Sequence, residues 1–199
     1  MMKTKLLLTL GTASALIFWV GGTIAGFIHG SYNPLNDTVS ELGALWAKSH
    51  LFMTVVMYLS GICGVLFCIG LAMACRQLGL NMIPPILAVS VPFTTLWAAY
   101  FPMGTEMHAA TGPVIFLIYI GIILALILWR GERLRTVRLW SAISLILLVC
   151  IFLRFTPFIA GHEGMIQRFA HLGWSVWFVS LNIMFVKMLN EKYPIIPLR

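Results

Sequence analysis

The sequence predicts an all-α fold: a polytopic bundle of six transmembrane helices, with a short amphipathic helix on the outer membrane surface in the first loop. Two observations predict it. The chain is 60% hydrophobic and 10% charged, with a mean hydropathy of +0.96, whereas a soluble domain carries about 25% charged residues. It also contains six long apolar stretches, and inside a bilayer only a helix satisfies its backbone hydrogen bonds within one segment.

The six stretches define the predicted spans and leave no room for a separate soluble domain. Each is long enough to cross a hydrocarbon core of about 30 Å at about 1.5 Å per residue. We therefore expect a single membrane domain over residues 1–199. Its predicted spans cover residues 6–28, 51–75, 83–101, 108–129, 137–159 and 165–189.

Lysine and arginine are distributed unequally between the two ends of the predicted bundle. Ten of the 13 belong to the end that holds both termini, and Lys48, Arg154 and Arg168 belong to the other. The positive-inside rule makes the richer end cytoplasmic. We predict a multi-pass protein of the bacterial cytoplasmic (inner) membrane with both termini in the cytoplasm. The net charge of +7 then reflects topology, and we expect no nucleic-acid partner.

The first loop, residues 30–49, carries its own structural signals. Thr38 and Glu41 have the spacing of a capping box, in which the glutamate reaches back to the start of a helix. Apolar residues recur at helical spacing at Leu35, Val39, Leu42 and Trp46. These patterns predict the short surface helix. Asp37, Ser40 and Glu41 either cap this helix or act as catalytic residues, and the sequence leaves both open.

Ionisable residues concentrate at the predicted outer end. Arg154, Arg168 and His171 fall inside apolar stretches, where a charge costs a few kcal/mol. Such residues pair with a partner or extend to the lipid headgroups. We predict an outward-facing polar pocket that combines them with His108 and the acids of the first loop. Other residues predicted to line this pocket or form ion pairs in it are Glu106, His162 and Glu163.

Prolines and glycines add two expectations about packing. Pro92 lies in the middle of the third span, Pro113 in the outer part of the fourth and Pro157 near the outer end of the fifth. Each removes a backbone hydrogen bond, and the resulting bends could open the outer half of the bundle into a cavity. Gly22 and Gly26 form a G-x-x-x-G pattern that permits close helix approach. Packing within the bundle and formation of a homodimer or larger membrane complex explain this pattern equally well.

Three short motifs resemble a bacterial membrane family called "domain of unknown function 998". The first runs from Asn33 to Ala44 and contains Ser-Glu-Leu-Gly-Ala; the second is Phe101-Pro102 followed by His108; the third is Gly164 followed by Arg168. The resemblance implies six helices and no known activity. Members often carry an acid soon after Phe-Pro and more histidines, whereas this chain has Glu106 and His108. The family is also distantly similar to Frag/DRAM-type proteins, which implies a lipid context.

The sequence leaves several functions open. One is a non-catalytic membrane protein that binds lipids, acts as a sensor or serves as a subunit. Another is a metal-dependent lipid hydrolase, in which His108 and His171 bind zinc and Arg168 holds a headgroup. Asp37 or Glu41 would then be a third ligand or general base. The remaining alternatives are a haem b redox protein, which needs histidines on facing helices, and a transporter.

Overall fold

The structure, a computed structural model, describes residues 2–156 and 161–191. Within those residues every regular element is helical. The α-helices are α1 (Met2–His29), α2 (Val39–Leu42), α3 (His50–Gln77), α4 (Ile83–Ala88), α5 (Ser90–Tyr100), α6 (Gly112–Ile115), α7 (Leu117–Leu128), α8 (Arg135–Val149) and α9 (Glu163–Asn190). The described residues also form 3₁₀-helices at His108–Thr111, Glu132–Leu134 and Cys150–Phe155.

Six stretches in this part of the chain are long and apolar enough to cross a membrane. They are Met2–His29, His50–Gln77, Ile83–Tyr100, His108–Leu128, Glu132–Phe155 and Glu163–Asn190, and we refer to them as the first to sixth spans. The prediction of an all-α, polytopic six-helix bundle is confirmed. The predicted end of the fifth span and the bend predicted at Pro157 lie outside the described residues.

The spans pack as a closed ring in chain order. α1 packs on α3, α3 on α5, α4 on α7, α7 on α8, and α8 on α9, which returns to α1. The interior contains large aromatic side chains, such as Phe67 and Phe178, whose ring centroids lie 4.6 Å apart. Large apolar side chains also cover the outside of the ring, including Leu16, Leu51, Ile146 and Ile183. This distribution suits a protein whose solvent is lipid.

Several polar side chains inside the bundle are paired between helices. Asn182 Nδ2 donates to Thr12 Oγ1 at 2.7 Å, and Ser14 Oγ donates to the Ser60 carbonyl at 2.9 Å. Trp177 Nε1 donates to Ser141 Oγ at 2.9 Å. Hydrogen bonds of this kind help to hold membrane helices together, because lipid offers a polar group no alternative partner.

The third, fourth and fifth spans are not continuous α-helices. Pro92 has no N–H for the Ala88 carbonyl, and the third span breaks at Val89, between α4 and α5. The fourth span begins as a 3₁₀-helix, and α6 then ends at Ile115, close after Pro113. The fifth span tightens to a 3₁₀-helix from Cys150 onward. These changes lie beside the main cavity described below, as the bends predicted at Pro92 and Pro113 would require.

The two ends of the bundle differ in composition and structure. Lys5 Nζ donates to Asn190 Oδ1, so the start of α1 and the end of α9 lie together. The first loop lies at the opposite end, which we call the first-loop end. Its predicted amphipathic helix is a single turn, α2, and Val39 and Leu42 are buried in the protein. The turn does not extend as a helix along the membrane surface, because its apolar side chains pack into the hydrophobic core of the protein.

Candidate functional site

The N-terminus of α9 docks directly on the backbone of the first loop. The Gly164 N–H donates to the Asn36 carbonyl at 3.1 Å, and the Met165 N–H donates to the Leu35 carbonyl at 2.9 Å. These amides are free because the first turn of a helix has no intrahelical acceptors. A Cβ on Gly164 would overlap the Asp37 carbonyl oxygen and lie 2.8 Å from its carbon. Glycine is therefore required by the closeness of the two backbones.

Arg168 lies one turn further along α9 and binds the same loop. Its Nη1 donates to the carbonyls of Pro34 at 2.5 Å and Asp37 at 3.1 Å, and to the Gly164 carbonyl at 2.9 Å. Its Nη2 donates to the hydroxyl of Tyr32, and the guanidinium carbon lies 5.2 Å from the Tyr32 ring centroid. The side chain predicted to hold a ligand headgroup is thus occupied mainly by the protein's own carbonyl groups.

Tyr32 continues this network into the loop. Its hydroxyl donates to the carbonyls of Asp37 at 3.1 Å and Thr38 at 3.0 Å. Burial raises the pKa of Tyr32 above its ordinary value of 10.0, and the charge of Arg168 offsets part of that effect. The hydroxyl therefore stays protonated at neutral pH and remains a donor.

The acids of the first loop are used for local structure. The Asp37 carboxylate accepts the Asn33 N–H at 2.6 Å. The Glu41 carboxylate accepts both the N–H and the hydroxyl of Thr38, at 3.0 Å and 2.8 Å, which is the glutamate half of the predicted capping box. Ser40, by contrast, lines the main cavity. The structure therefore separates Ser40 from the two acids that were predicted to act with it.

A second set of contacts joins the first loop to the link between the third and fourth spans. The Leu45 N–H donates to the Met103 carbonyl at 3.0 Å. Gly104 has a φ of +103°, and a Cβ there would lie 2.7 Å from the Trp46 ring. The ring Nδ1 of His108 lies 2.8 Å from the Phe101 carbonyl. The Phe-Pro and histidine motif therefore shapes this link and places His108 beside the main cavity.

The main cavity has a volume of about 480 Å³ and opens to the outside of the protein. All six spans contribute to it, through Phe18, Met57, Val91, Ile115, Leu148 and Trp174 among others. Four predicted site residues also line it, namely Ser40, His108, Arg154 and His171. Apolar walls with a few polar groups are typical of a small-molecule site.

A second cavity of about 420 Å³ lies between α1 and the first loop. Arg168 and Tyr32 line this cavity, together with Gly22 and Gly26. Arg168 and His171 therefore line different cavities, although the sequence predicted one shared pocket. A Cβ on Gly26 would meet the Tyr32 ring at 3.2 Å, whereas one on Gly22 would meet nothing within 4 Å.

The two histidines of the main cavity have defined hydrogen-bonding roles. The His108 Nδ1 hydrogen bonds to a carbonyl, which can only accept, so its free Nε2 is an acceptor when the ring is neutral. Trp174 Nε1, which can only donate, lies 3.1 Å from His171 Nδ1. His171 Nδ1 must then be unprotonated, and Nε2 carries the hydrogen of the neutral ring. One histidine thus offers an acceptor and the other a donor.

These roles bear on the zinc and haem hypotheses. A histidine that binds a metal through Nε2 normally donates its Nδ1 hydrogen to a carbonyl or carboxylate. His108 has that arrangement, and His171 would have to lose its hydrogen bond with Trp174 to adopt it. In residues 2–156 and 161–191, no group of three His, Cys, Asp or Glu side chains is placed to hold a metal ion.

The remaining predicted pocket and ion-pair residues are exposed, and so is Arg154. Glu106 is exposed, and so is Glu163 in the first turn of α9. His162 is exposed as well, and its Nδ1 lies 3.2 Å from Asn36 Oδ1. Arg154 is exposed, with its guanidinium carbon 5.9 Å from the Phe155 ring centroid. Within the described part of the chain, neither Arg154 nor Arg168 forms an ion pair with these acids.

Three residues of the site were not predicted from the sequence. Gln167 Oε1 accepts the Val39 N–H at 2.6 Å and the residue lines the main cavity; its spacing of four from His171 on one helix was a usable signal. The sequence contained no such signal for Tyr32 or Trp174. Tyr32 acts through Arg168, 136 positions away, and a tryptophan in an apolar span looks like any core residue.

The fold and the first-loop end together define the class of protein. It is a six-span membrane protein whose first loop is hydrogen-bonded to its last helix beside an open cavity. The particular family follows from comparison with known proteins. The model of the family described as "Protein of unknown function (DUF998)" matches residues 12–184, and the chain belongs to that family. No curated protein and no solved structure shows significant similarity to it.

Proposed function

We propose that the protein binds one membrane amphiphile at a time, with the apolar chain in the main cavity and the head at the first-loop end. The role is that of a lipid-binding protein, a sensor or a subunit of a membrane complex. The observation that carries the proposal is the cavity itself, which is lined by all six spans and, at the first-loop end, by Ser40, His108 and Arg154.

The dimensions of the cavity support a single-chain ligand. Its volume of about 480 Å³ lies within the range of about 300–1,000 Å³ for small-molecule sites. Its lining extends from His108 at the start of the fourth span to Tyr119 in α7. At about 2.0 Å per residue in the 3₁₀ turn and 1.5 Å beyond it, this is roughly 18 Å. That depth is close to one leaflet, about half of a 30 Å hydrocarbon core.

Binding requires nothing beyond the side chains that line the cavity, whereas the hydrolase alternative needs a base and ligands. The two acids suggested for those roles, Asp37 and Glu41, accept hydrogen bonds within the first loop, and neither lines the main cavity. The geometry therefore favours binding over hydrolysis.

The orientation in the membrane belongs to the same proposal. The excess of basic residues at the end that holds both termini supports a first-loop end on the outer side of the cytoplasmic membrane. A membrane-impermeant maleimide should then label Lys48→Cys in intact cells and Arg130→Cys only after permeabilisation. The reverse pattern would refute the orientation.

The direct test of binding fills the cavity and asks whether ligand is lost. Ala170 lines the cavity, and Leu172, on the same helix, is 38% exposed. Ala170→Trp should therefore obstruct the site, and Leu172→Trp is the matched control. The probes are 16-carbon amphiphiles with four heads: hexadecanol, palmitate, hexadecyl phosphate and hexadecyltrimethylammonium. Equilibrium dialysis of the detergent-purified protein measures their binding.

We expect the wild type and Leu172→Trp to bind at least one probe saturably, at one molecule per chain. Ala170→Trp should weaken that binding about tenfold or more, while its circular dichroism and melting temperature stay those of a folded helical protein. Equal binding by Ala170→Trp and the wild type, or no saturable binding of any probe, would contradict the proposal.

A further inference from the structure

We infer that the head of the bound amphiphile is an anion, either a carboxylate or a phosphate monoester, held by Arg154, Gln167 and His171. This inference rests on the proposed function and adds the chemical class of the ligand. It comes from three observations: the charges that line the main cavity, the donors that remain free in it, and the membrane position of Arg154.

The charge of the cavity lining is of one sign. Among the described residues that line it, Arg154 is the only Lys or Arg, and there is no Asp or Glu. The guanidinium carbon of Arg154 lies 5.9 Å from the centroid of the Phe155 ring, and within residues 2–156 and 161–191 no carboxylate pairs with this arginine. A guanidinium pairs well with an oxyanion because it presents two parallel N–H groups.

Gln167 and His171, which both line the main cavity, each have a free hydrogen-bond donor. The Oε1 of Gln167 accepts the Val39 N–H at 2.6 Å, which leaves its amide NH₂ as the free group. His171 Nδ1 accepts from Trp174, which leaves the Nε2 hydrogen. Gln167 and His171 are four residues apart on α9, so these two donors share one helix face. His108, by contrast, has a free acceptor, its ring nitrogen Nε2.

The position of Arg154 explains why this charge is tolerated. It lies at the end of the fifth span, in the 3₁₀-helix Cys150–Phe155, where an unpaired charge near lipid is costly. An anion at the mouth of the cavity offsets that cost while its chain occupies the apolar walls. A cationic head would instead face Arg154 with no compensating carboxylate among the described lining residues.

The test compares heads on a constant 16-carbon chain and removes the charge with Arg154→Gln. The control is Arg130→Gln, which changes an arginine on the link between the fourth and fifth spans, at the other end of the bundle. We expect palmitate and hexadecyl phosphate to bind about tenfold or more tightly than hexadecanol, which corresponds to about 1.4 kcal/mol. Arg154→Gln should abolish this preference, whereas Arg130→Gln should keep it.

Two further arms separate the outcomes. Inorganic phosphate should displace hexadecyl phosphate only at far higher concentration, because the chain contributes to binding; displacement at equal concentration would assign the site to a free anion and overturn the lipid ligand. Equal binding of hexadecanol and palmitate, both blocked by Ala170→Trp, would overturn the anionic head and leave the proposed function standing. Binding that Ala170→Trp does not affect would refute the proposed function itself.

Discussion

Gly164 and Arg168 stand one helical turn apart and contact the same segment of the first loop. Gly164 lets the backbone of α9 approach that of Asp37, and Arg168 then reaches the carbonyls of Pro34 and Asp37. A lysine could not replace this arginine, because an ammonium is a single point of charge without the planar fork of donors. The Gly-x-x-x-Arg motif therefore attaches the first loop to α9.

The closeness at Gly164 gives a residue-scale prediction. Gly164→Ala should destabilise the protein by about 1–3 kcal/mol, because the added methyl group overlaps backbone atoms that cannot rotate away. The measurement is thermal unfolding in detergent, followed by circular dichroism.

Gly22→Ala is the control, since Gly22 also lies in a helix but a Cβ there meets nothing within 4 Å. Alanine is the better helix former by up to about 1 kcal/mol, so Gly22→Ala should be neutral or stabilising. If both variants had the same melting temperature, the close contact at Gly164 would not limit the stability of the protein.

At the scale of elements, α2 depends on α9 for its position. The helix has one turn, and an isolated turn is unstable in water because nucleation is unfavourable. Its first amide, the Val39 N–H, is bonded by Gln167 of α9, and Val39 and Leu42 are buried. Gln167 thus joins the first loop, α9 and the main cavity.

This dependence predicts different results for two substitutions of Gln167. Gln167→Met keeps the size but removes the acceptor, so the buried Val39 amide loses its partner at a cost of about 1–3 kcal/mol. Gln167→Glu keeps an acceptor oxygen. Hydrogen exchange of residues 37–42 should therefore accelerate in Gln167→Met and stay close to wild type in Gln167→Glu. Equal acceleration in both would mean that this hydrogen bond does not hold α2.

At the scale of the whole molecule, the sequence predicts the spans well and the site only in part. The spans follow from hydropathy because lipid is a uniform solvent, and a long apolar stretch is sufficient to select it. The first-loop end depends instead on contacts between distant residues, such as Gly164 with Asn36 and Arg168 with Tyr32. No local pattern encodes these pairings.

The candidate site shows the same division. The presence of His108, His171 and Arg154 at one end could be predicted from the order of the spans, and the structure places all three on the main cavity. The sequence could not predict that Arg168 lines a second cavity, because Arg168 and His171 lie only one turn apart on α9. Which ring nitrogen of each histidine is free depends on Phe101 and Trp174, and only the folded structure reveals it.

The central claim is that the main cavity holds the chain of an amphiphile, and photolabelling tests it most directly. A palmitate with a diazirine at its methyl end would be bound to the wild type and to Ala170→Trp, irradiated, and its attachment sites mapped by mass spectrometry. We predict labelling of deep lining residues such as Val91, Tyr119 or Leu148, and loss of that labelling in Ala170→Trp. Labels confined to outward-facing residues such as Leu16, Leu51 and Ile146, and equal in both proteins, would contradict it.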